Sequence, residues 1–332
     1  MPDASPPPSL TETLANLPIL WILALVAGLT VLRLALVRLP SPAARSLAEL
    51  SETGLIAVAL VFLIIRPFFM QAFYIPTASM EATLQGNSRT KDRILVSKFQ
   101  YRLHPPQRGD VVVFLAPPAA MPGDPPFVKR LIGLPEDRLE AVAGFVLVGG
   151  KRYTHADVRA ALATAGEFGP QAQADGFVDQ ADHHVKFVND GVLADKRLIG
   201  GQRLAEILAG VPRAPISVHP GYNIRNGVKL DEPFIAEDPD YDMKIYHGEP
   251  IKHEHDPGQA EYKWNGQSIT AAEFGQEYAQ PTEPLPPGRY LMMGDNRNDS
   301  NDGTNWGLLE AWRVVGPARV VFWPPADMGV VH

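Results

Sequence analysis

Hydrophobic positions in this chain fall into two regimes. The first is N-terminal and continuous. No charged residue lies between Glu12 and Arg33, and "LPILWILALVAGLTVL" fills the interval. An uncharged apolar run of roughly 20 residues crosses a hydrocarbon core as a helix, so a membrane-spanning helix is predicted over about 17–37. Pro18 suits its first turn, where a missing N–H costs little, and Arg33 and Arg38 can reach the far interface. A cleavable leader does not fit, because Asp3 and Glu12 stand where a basic segment belongs. A second apolar stretch, Gly54 to Tyr74, is interrupted by Arg66-Pro67. With "FFMQAFY" it reaches spanning length and is read as a second membrane helix rather than a buried or interfacial one. The intervening loop carries Arg38 and Arg45, which assigns it to the cytoplasmic side and everything from Ile75 onward to the other side.

From Asp92 the pattern shortens to β-type runs. "RILVSKFQY", "DVVVFLA" and "FVKRLIGL" combine β-branched and aromatic residues between breakers. Strand character returns at "GRYLMMGD" and "VVGPARVVFW". Between them, helices are predicted at "HADVRAALATA" and "GGQRLAEILAG", with polar loops elsewhere. "VGGKRYT", "RNGVKLD" and "WNGQSIT" share a turn-like glycine signature. The predicted fold class is mainly β: two N-terminal membrane helices (1–53 with its cytoplasmic loop, then 54–74), a β core from 75–147 and 286–332, and an inserted α+β subdomain over 148–285.

Composition narrows the chemistry. The chain has 332 residues and no cysteine, which excludes disulfides, thiolate catalysis and Cys-ligated metals. A net charge of −7 argues against nucleic acid as a partner, since no basic excess is available to neutralise phosphates. The 32 prolines and 28 glycines fit a β-rich architecture with many turns.

Three places carry candidate chemistry. In "IPTASMEATL", immediately after the second apolar stretch, Ser79 follows a small residue in a Pro- and Thr-rich turn. A serine nucleophile needs a base. The histidines lie in the insertion (His183, His184, His247, His253, His255) or in loops (His104, His155, His219), none with nucleophile-elbow character. His247, His253 and His255 are read as part of a solvated charged loop rather than as metal ligands. Lys129 is a different base. It interrupts an apolar strand beside Arg130, and alternation sends the two side chains to opposite faces, one inward and one outward. Desolvating a lysine from ~10.4 toward neutrality costs roughly 4 kcal/mol, a cost expected at a working site. The third place is "GDNRNDSNDGTNWG", residues 294–307, a structured polar turn. Asp295, Asp299 and Asp302 lack EF-hand spacing there, so no metal and no cofactor is assigned.

Together these segments resemble bacterial signal peptidase I, the leader peptidase family of Ser-Lys endopeptidases. "IPTASMEATL" resembles the nucleophile box PSxSMxPTL, "RGDVVVF" the Gly-Asp strand, "VKRLIGLPED" the KRxxGxPGD box, and "GDNRNDSNDG" the GDNRxxSxDSR box. The four occur in order, and within the insertion "NGVKLDEPFIAEDPDY" also looks like a family segment. The resemblance implies Ser79 as nucleophile and Lys129 as general base. It implies that Ser300 orients the amine, that Asp295 pairs with Arg130, and that Ser79 N–H and the Thr77 hydroxyl hold the oxyanion. Phe73, Ile75, Leu84, Ile94, Val113 and Val128 would line shallow substrate pockets. The implied activity is removal of signal peptides at A-x-A-like sites from secreted and membrane preproteins, at the periplasmic face of a bacterial inner membrane, with the lipid bilayer as a further partner. Alternatives are a dedicated maturation peptidase of conjugation type and an inactive membrane-anchored scaffold. Ala78 stands for the usual Gly, Ala82 for Pro and Glu136 for Gly. Thr304 stands for the Arg that pairs with the position of Asp302.

Overall fold

β-branched runs that read as strands at opposite ends of the sequence pair with one another. The computed structural model describes residues 19–65, 68–86, 91–168, 183–211, 213–255, 262–264 and 267–332. It divides into residues 1–73 with 95–104, and residues 74–94 with 105–332.

In the first unit, α1 (Ile19–Val37) packs against α2 (Pro42–Ala59). Ala44, Ala48 and Ser51 are buried on α2, and Arg33 pairs with Glu52 at 2.8 Å. α1 leaves Trp21, Leu23, Leu25, Val31, Leu32 and Leu34 exposed. Its 19 residues rise about 28 Å, against a hydrocarbon core of about 30 Å. No helix among the described residues is long and apolar enough to cross a membrane; Pro18, Arg66 and Pro67 lie outside them. The stretch 54–74 does not form one helix. α2 begins at Pro42 and carries Arg45, Glu49 and Glu52; it widens into a π-helical turn at Leu60–Ile65, and Met70–Tyr74 is strand β1. The side chains of β1 alternate between exposed and half-buried, as an extended chain requires.

In the second unit the main sheet runs antiparallel. Its order is β20 (Val314–Trp323), β3 (Val111–Leu115), β4 (Pro126–Gly133), β18 (Arg289–Met293), β19 (Leu309–Glu310), with β21 (Gly329–Val330) added to β20. Val111 to Phe114 are buried without alternation, as expected of a central strand covered on both faces.

The second sheet redraws the border of the insertion. β5 (Leu139–Val142) belongs to the first half of the predicted core. It pairs on one side with β12 (Tyr222–Arg225), which continues to β13 (Val228–Lys229). On the other side it pairs with β14 (Tyr241–Tyr246), which continues through β15 (Glu249–Glu254), β16 (Tyr262–Trp264) and β17 (Gln267–Ile269). Residues 222–269 therefore share a sheet with the core. One apolar cluster joins Ile132, Leu139, Tyr241, Ile245, Leu291 and Leu308 across both sequence halves. Asn226 and Gly227, with φ of 54° and 78°, close the β12–β13 hairpin in the left-handed region that Asn-Gly favours.

What remains as a separate subdomain lies between β5 and β12. It holds β6 (Phe145–Val148), β7 (Lys151–Tyr153) and β11 (Ile216–His219) in one sheet, and β8 (Val185–Val188), β9 (Gly191–Ala194) and β10 (Arg197–Gly200) in another. Two helices, α3 (His155–Thr164) and α4 (Gly201–Ala209), complete its own apolar cluster around Val158, Leu162, Phe187 and Leu204. The Thr154–Asp157 capping box starts α3, and Gly210 at φ 65° ends α4.

Candidate active site

Ser79 sits in a 3₁₀ turn, Ala78–Met80, whose N-cap is Thr77 in an extended conformation. The turn is anchored by buried Ile75, Met80 and Leu84. Ala78, in place of the usual Gly, fits because the turn needs no left-handed residue there. Two glycines are required by close approach. A Cβ on Gly86 would fall 1.7 Å from Thr77 O, and one on Gly294 would fall 2.4 Å from Ser79 O and 2.2 Å from Ser300 Oγ. Backbone with no side chain is the only way to bring these loops together.

β4 carries the candidate base, Lys129. Lys129 is 3% exposed, and its Nζ donates to Ser79 Oγ at 2.5 Å. Thr77 Oγ1 lies 3.2 Å from the same oxygen. Burial pushes the Lys129 amine down to about 8, against the opposing pull of Asp302, Asp295 and Asp299. Arg130, the next residue, is equally buried at 2%, so the expectation that one of the two cations faces outward does not hold. The alternation is kept, but each face has a site for its cation. Arg130 makes a bidentate pair with Asp295 at 2.8 and 2.7 Å, donates to Gly109 O and His332 O, and stacks over the Phe234 ring at 3.9 Å. Planar fork geometry and ring stacking are what make a buried guanidinium tolerable.

The 294–307 turn clamps these parts together. Asn296 N–H donates to Ser79 O, and Thr83 Oγ1 donates to Asp295 Oδ2 at 2.5 Å while accepting from Arg130. Thr83 thereby ties the nucleophile loop to the Arg130–Asp295 pair. Asp302 is fully buried without the arginine usual in the family. Its Oδ2 accepts from Gly294 N–H and its Oδ1 from the Thr304 N–H and hydroxyl, capping the one-turn helix Gly303–Trp306. Thr304 thus supplies donors to Asp302 in place of the arginine it replaces. Ser300 differs from expectation: its Oγ is buried without a hydrogen-bond partner, so it makes no bond to Lys129. Glu136, in place of Gly, sits at φ 73°, which costs a side-chain-bearing residue about 1 kcal/mol.

Of the expected pocket residues, Ile75, Leu84, Ile94 and Val113 are fully buried. Val113 and Val128 pair directly across β3 and β4, on the face opposite Lys129. Phe73 lies half-buried on β1, in the first unit.

Several supporting residues have no clear signature in the sequence. Arg297 pairs with Glu232 at 2.8 Å and donates to Gly294 O, and Ala236 N–H donates to Asp295 O. Phe234 lies under Arg130 and near Arg297. All come from "NGVKLDEPFIAEDPDY" or face it; its family-like look was the available signal. His184, which the sequence places in the insertion, has its Nε2 3.3 Å from Glu81 Oε2 in the nucleophile box, with Glu237 on its other nitrogen. Hydrogen bonds to Glu237 and Glu81 raise His184 to about 10. A raised folded-state value means its stabilisation is complete below the ordinary histidine range and fades as pH rises toward 10. His184→Ala is therefore expected to lower stability by about 1 kcal/mol at pH 6. Thermal scans at pH 6 and pH 10 should show that gap closing with pH; a constant gap would contradict the assignment. His155 is no loop residue: it starts α3, is fully buried, and lies 3.0 Å from Asp238 Oδ1.

A hydroxyl held against a desolvated amine, with a second hydroxyl beside it, has the parts for acyl transfer. Comparison with known proteins agrees. A family model described as signal peptidase, peptidase S26, matches residues 47–197 and 207–323. The chain is 30% identical over 308 residues to signal peptidase I of Mycobacterium tuberculosis, covering 88% of this chain and 78% of the relative. It is 26% identical over 293 residues to a probable signal peptidase I-2 of Synechocystis sp., covering 88% and 80%. To signal peptidase I of Pseudomonas aeruginosa it is 25% identical over 313 residues, covering 83% and 76%. The chain belongs to the signal peptidase I family of serine endopeptidases.

Proposed function

We propose that this enzyme removes signal peptides from exported preproteins with Ser79 as nucleophile and Lys129 as general base. The observation that carries this reading is the 2.5 Å approach of a buried Lys129 amine to Ser79 Oγ, with the amine held near 8. Neutral Lys129 takes the hydroxyl proton as Ser79 Oγ bonds to the scissile carbonyl carbon. The resulting oxyanion is received by Ser79 N–H and the Thr77 hydroxyl, donors aimed where charge develops. The lysine ammonium then protonates the departing amine, leaving an acyl-serine. Water, deprotonated by the same lysine, releases the signal peptide and regenerates Ser79. Asp295 and Arg130 position β4, and Ser300 serves as a further polar neighbour of the amine once substrate is bound.

The membrane assignment is part of the proposal. α1, with its apolar side chains facing outward, and the apolar segment that follows would anchor the enzyme in the inner membrane, with the second unit on the periplasmic side. A substrate's apolar helix would then lie in the same plane, raising its effective concentration. Ile75, Leu84, Ile94, Val113 and Val128 are assigned to pockets for small side chains at A-x-A-like sites.

Detergent-solubilised enzyme should cut several unrelated preproteins bearing A-x-A sites, and no variant in which the alanine before the scissile bond is replaced by a bulky residue. Cleavage of one preprotein alone would indicate a dedicated maturation peptidase, and none at all would refute the proposal. Thr77→Val is expected to reduce kcat by about 100-fold with little change in KM, because the donor acts on the transition state. Thr77→Ser should retain most of the rate. Equal loss in both variants would remove Thr77 from the oxyanion site.

A further inference from the structure

Far along the second sheet from the strands just described, three metal-binding side chains converge. Asp242 on β14 and His253 on β15 are direct cross-strand partners. His255 follows two residues later, where strand alternation returns to the same face. One ligand atom from each of the three lies within 4.8 Å of the others. The charged-loop reading of this stretch is thus replaced by a strand end with ordered side chains. His247, grouped with them in the sequence, instead packs against Tyr246 and Trp264.

We propose that Asp242, His253 and His255 form a binding site for a borderline divalent metal ion, Zn2+ by preference. Two imidazoles and one carboxylate suit zinc, which leaves a fourth tetrahedral position for water. Two of the three ligands are held from outside the site. Ala143 N–H donates to Asp242 Oδ1 at 3.0 Å, so Oδ2 faces His255 Nε2 at 2.6 Å. The His253 ring lies stacked on Tyr262, with centroids 4.4 Å apart and planes 10° from parallel, and meets the His255 ring edge-on at 4.2 Å. Partners of this kind hold first ligands in place. Tetrahedral zinc separates its ligand atoms by about 3.4 Å, so small side-chain rotations suffice: Asp242 and His255 part slightly and His253 closes in. His255 then ligates through Nε2 with its proton carried on Nδ1. Asp242 and His255 are 28% and 19% exposed, which leaves the site open to a small ion. The neighbouring cation Arg152 is engaged over the Phe145 ring at 4.2 Å. In a chain without cysteine, such an ion would staple the two strands together at the open end of the β14–β15 hairpin.

The test uses full-length, tag-free protein stripped with a chelator and titrated with ZnCl2 by calorimetry. One ion per chain should bind at micromolar or lower Kd, and the thermal transition should rise with Zn2+. His253→Ala and His255→Ala should each weaken that event by about 100-fold or more, beyond the 10–100-fold typical of outer-shell changes. Asp242→Asn should weaken it less. Co2+ bound to the wild-type chain should show visible absorption of tetrahedral type, and zinc X-ray absorption should show two imidazole ligands; both readings hold even where a variant folds poorly. Absence of stoichiometric binding, binding unchanged in the His253→Ala/His255→Ala double variant, or a spectrum without imidazole ligation would each overturn the site.

Discussion

Ser79→Ala and Lys129→Met are each expected to lower preprotein cleavage by at least about 10⁴-fold, with substrate binding retained. The two variants should part company in stability. Lys129 is held at about 8, below its ordinary 10.5, so the unfolded chain takes up a proton more readily than the folded one between those values. Stability therefore rises with pH across that window, and below pH 8 the full cost of the buried amine, about 3 kcal/mol, is present. Lys129→Met removes this cost. The inactive variant should unfold at higher temperature than wild type at pH 7, with the difference vanishing above pH 10.5. Ser79→Ala, which leaves the amine in place, should show no such gain. Wild-type kcat/KM should climb with pH through an apparent value near 8, because only the neutral amine accepts the serine proton; at pH 7 about one chain in ten carries it. A flat profile between pH 6 and 10, or a Lys129→Met variant less stable than wild type at pH 7, would remove Lys129 as the base.

The largest loss of stability should come from Asp295→Ala. Asp295 is wholly buried against Arg130, and removing it strands a guanidinium in the interior. Breaking a buried pair from one side costs about 3–5 kcal/mol, whereas replacing both partners by apolar residues of similar size is far milder. Denaturant unfolding should rank the Arg130→Met/Asp295→Leu double variant well above Asp295→Ala. Neither should regain full activity, since both release Thr83, the link between this pair and the nucleophile loop. If Asp295→Ala came within 1 kcal/mol of wild type, the pair would not be what holds the two loops in register.

The sequence revealed the site more fully than the fold that carries it. Ser79, Lys129, Arg130 and Asp295 lie in short ordered boxes, and the structure brings the four together. Local pattern also located β3, β4, β18 and β20, because short runs of apolar, aromatic and β-branched residues between turn-forming breakers mark strands. It did not reveal that Tyr222–Arg225 and Tyr241–Tyr246 flank Leu139–Val142, since pairing across many tens of residues leaves no local periodicity. The strand at Met70–Tyr74 was hidden by its hydrophobicity, which reads as membrane helix; the alternation of its side chains is visible only in their exposure. Phe234 and His184 acquire meaning through partners distant in sequence: two arginines for the ring, two carboxylates for the imidazole. The outward-facing cation was mispredicted for a similar reason, since a charge next to Lys129 looks unaffordable inside until Asp295 is seen opposite it.

The separate subdomain leaves the second sheet at Val142 and rejoins it at Tyr222, and those two residues are direct partners on adjacent strands. Topologically it is a hairpin turn that has grown a fold of its own. Nothing in the β5–β12 ladder has to break for it to open, which gives it a measure of independence from that sheet, although buried bonds from His155, Val185 and Phe187 to Glu237 and Asp238 tie it to the segment before β14. The His184–Glu81 contact makes that independence incomplete. It lets the subdomain report its folded state to the loop that bears Ser79, as a latch does to the door it rests on.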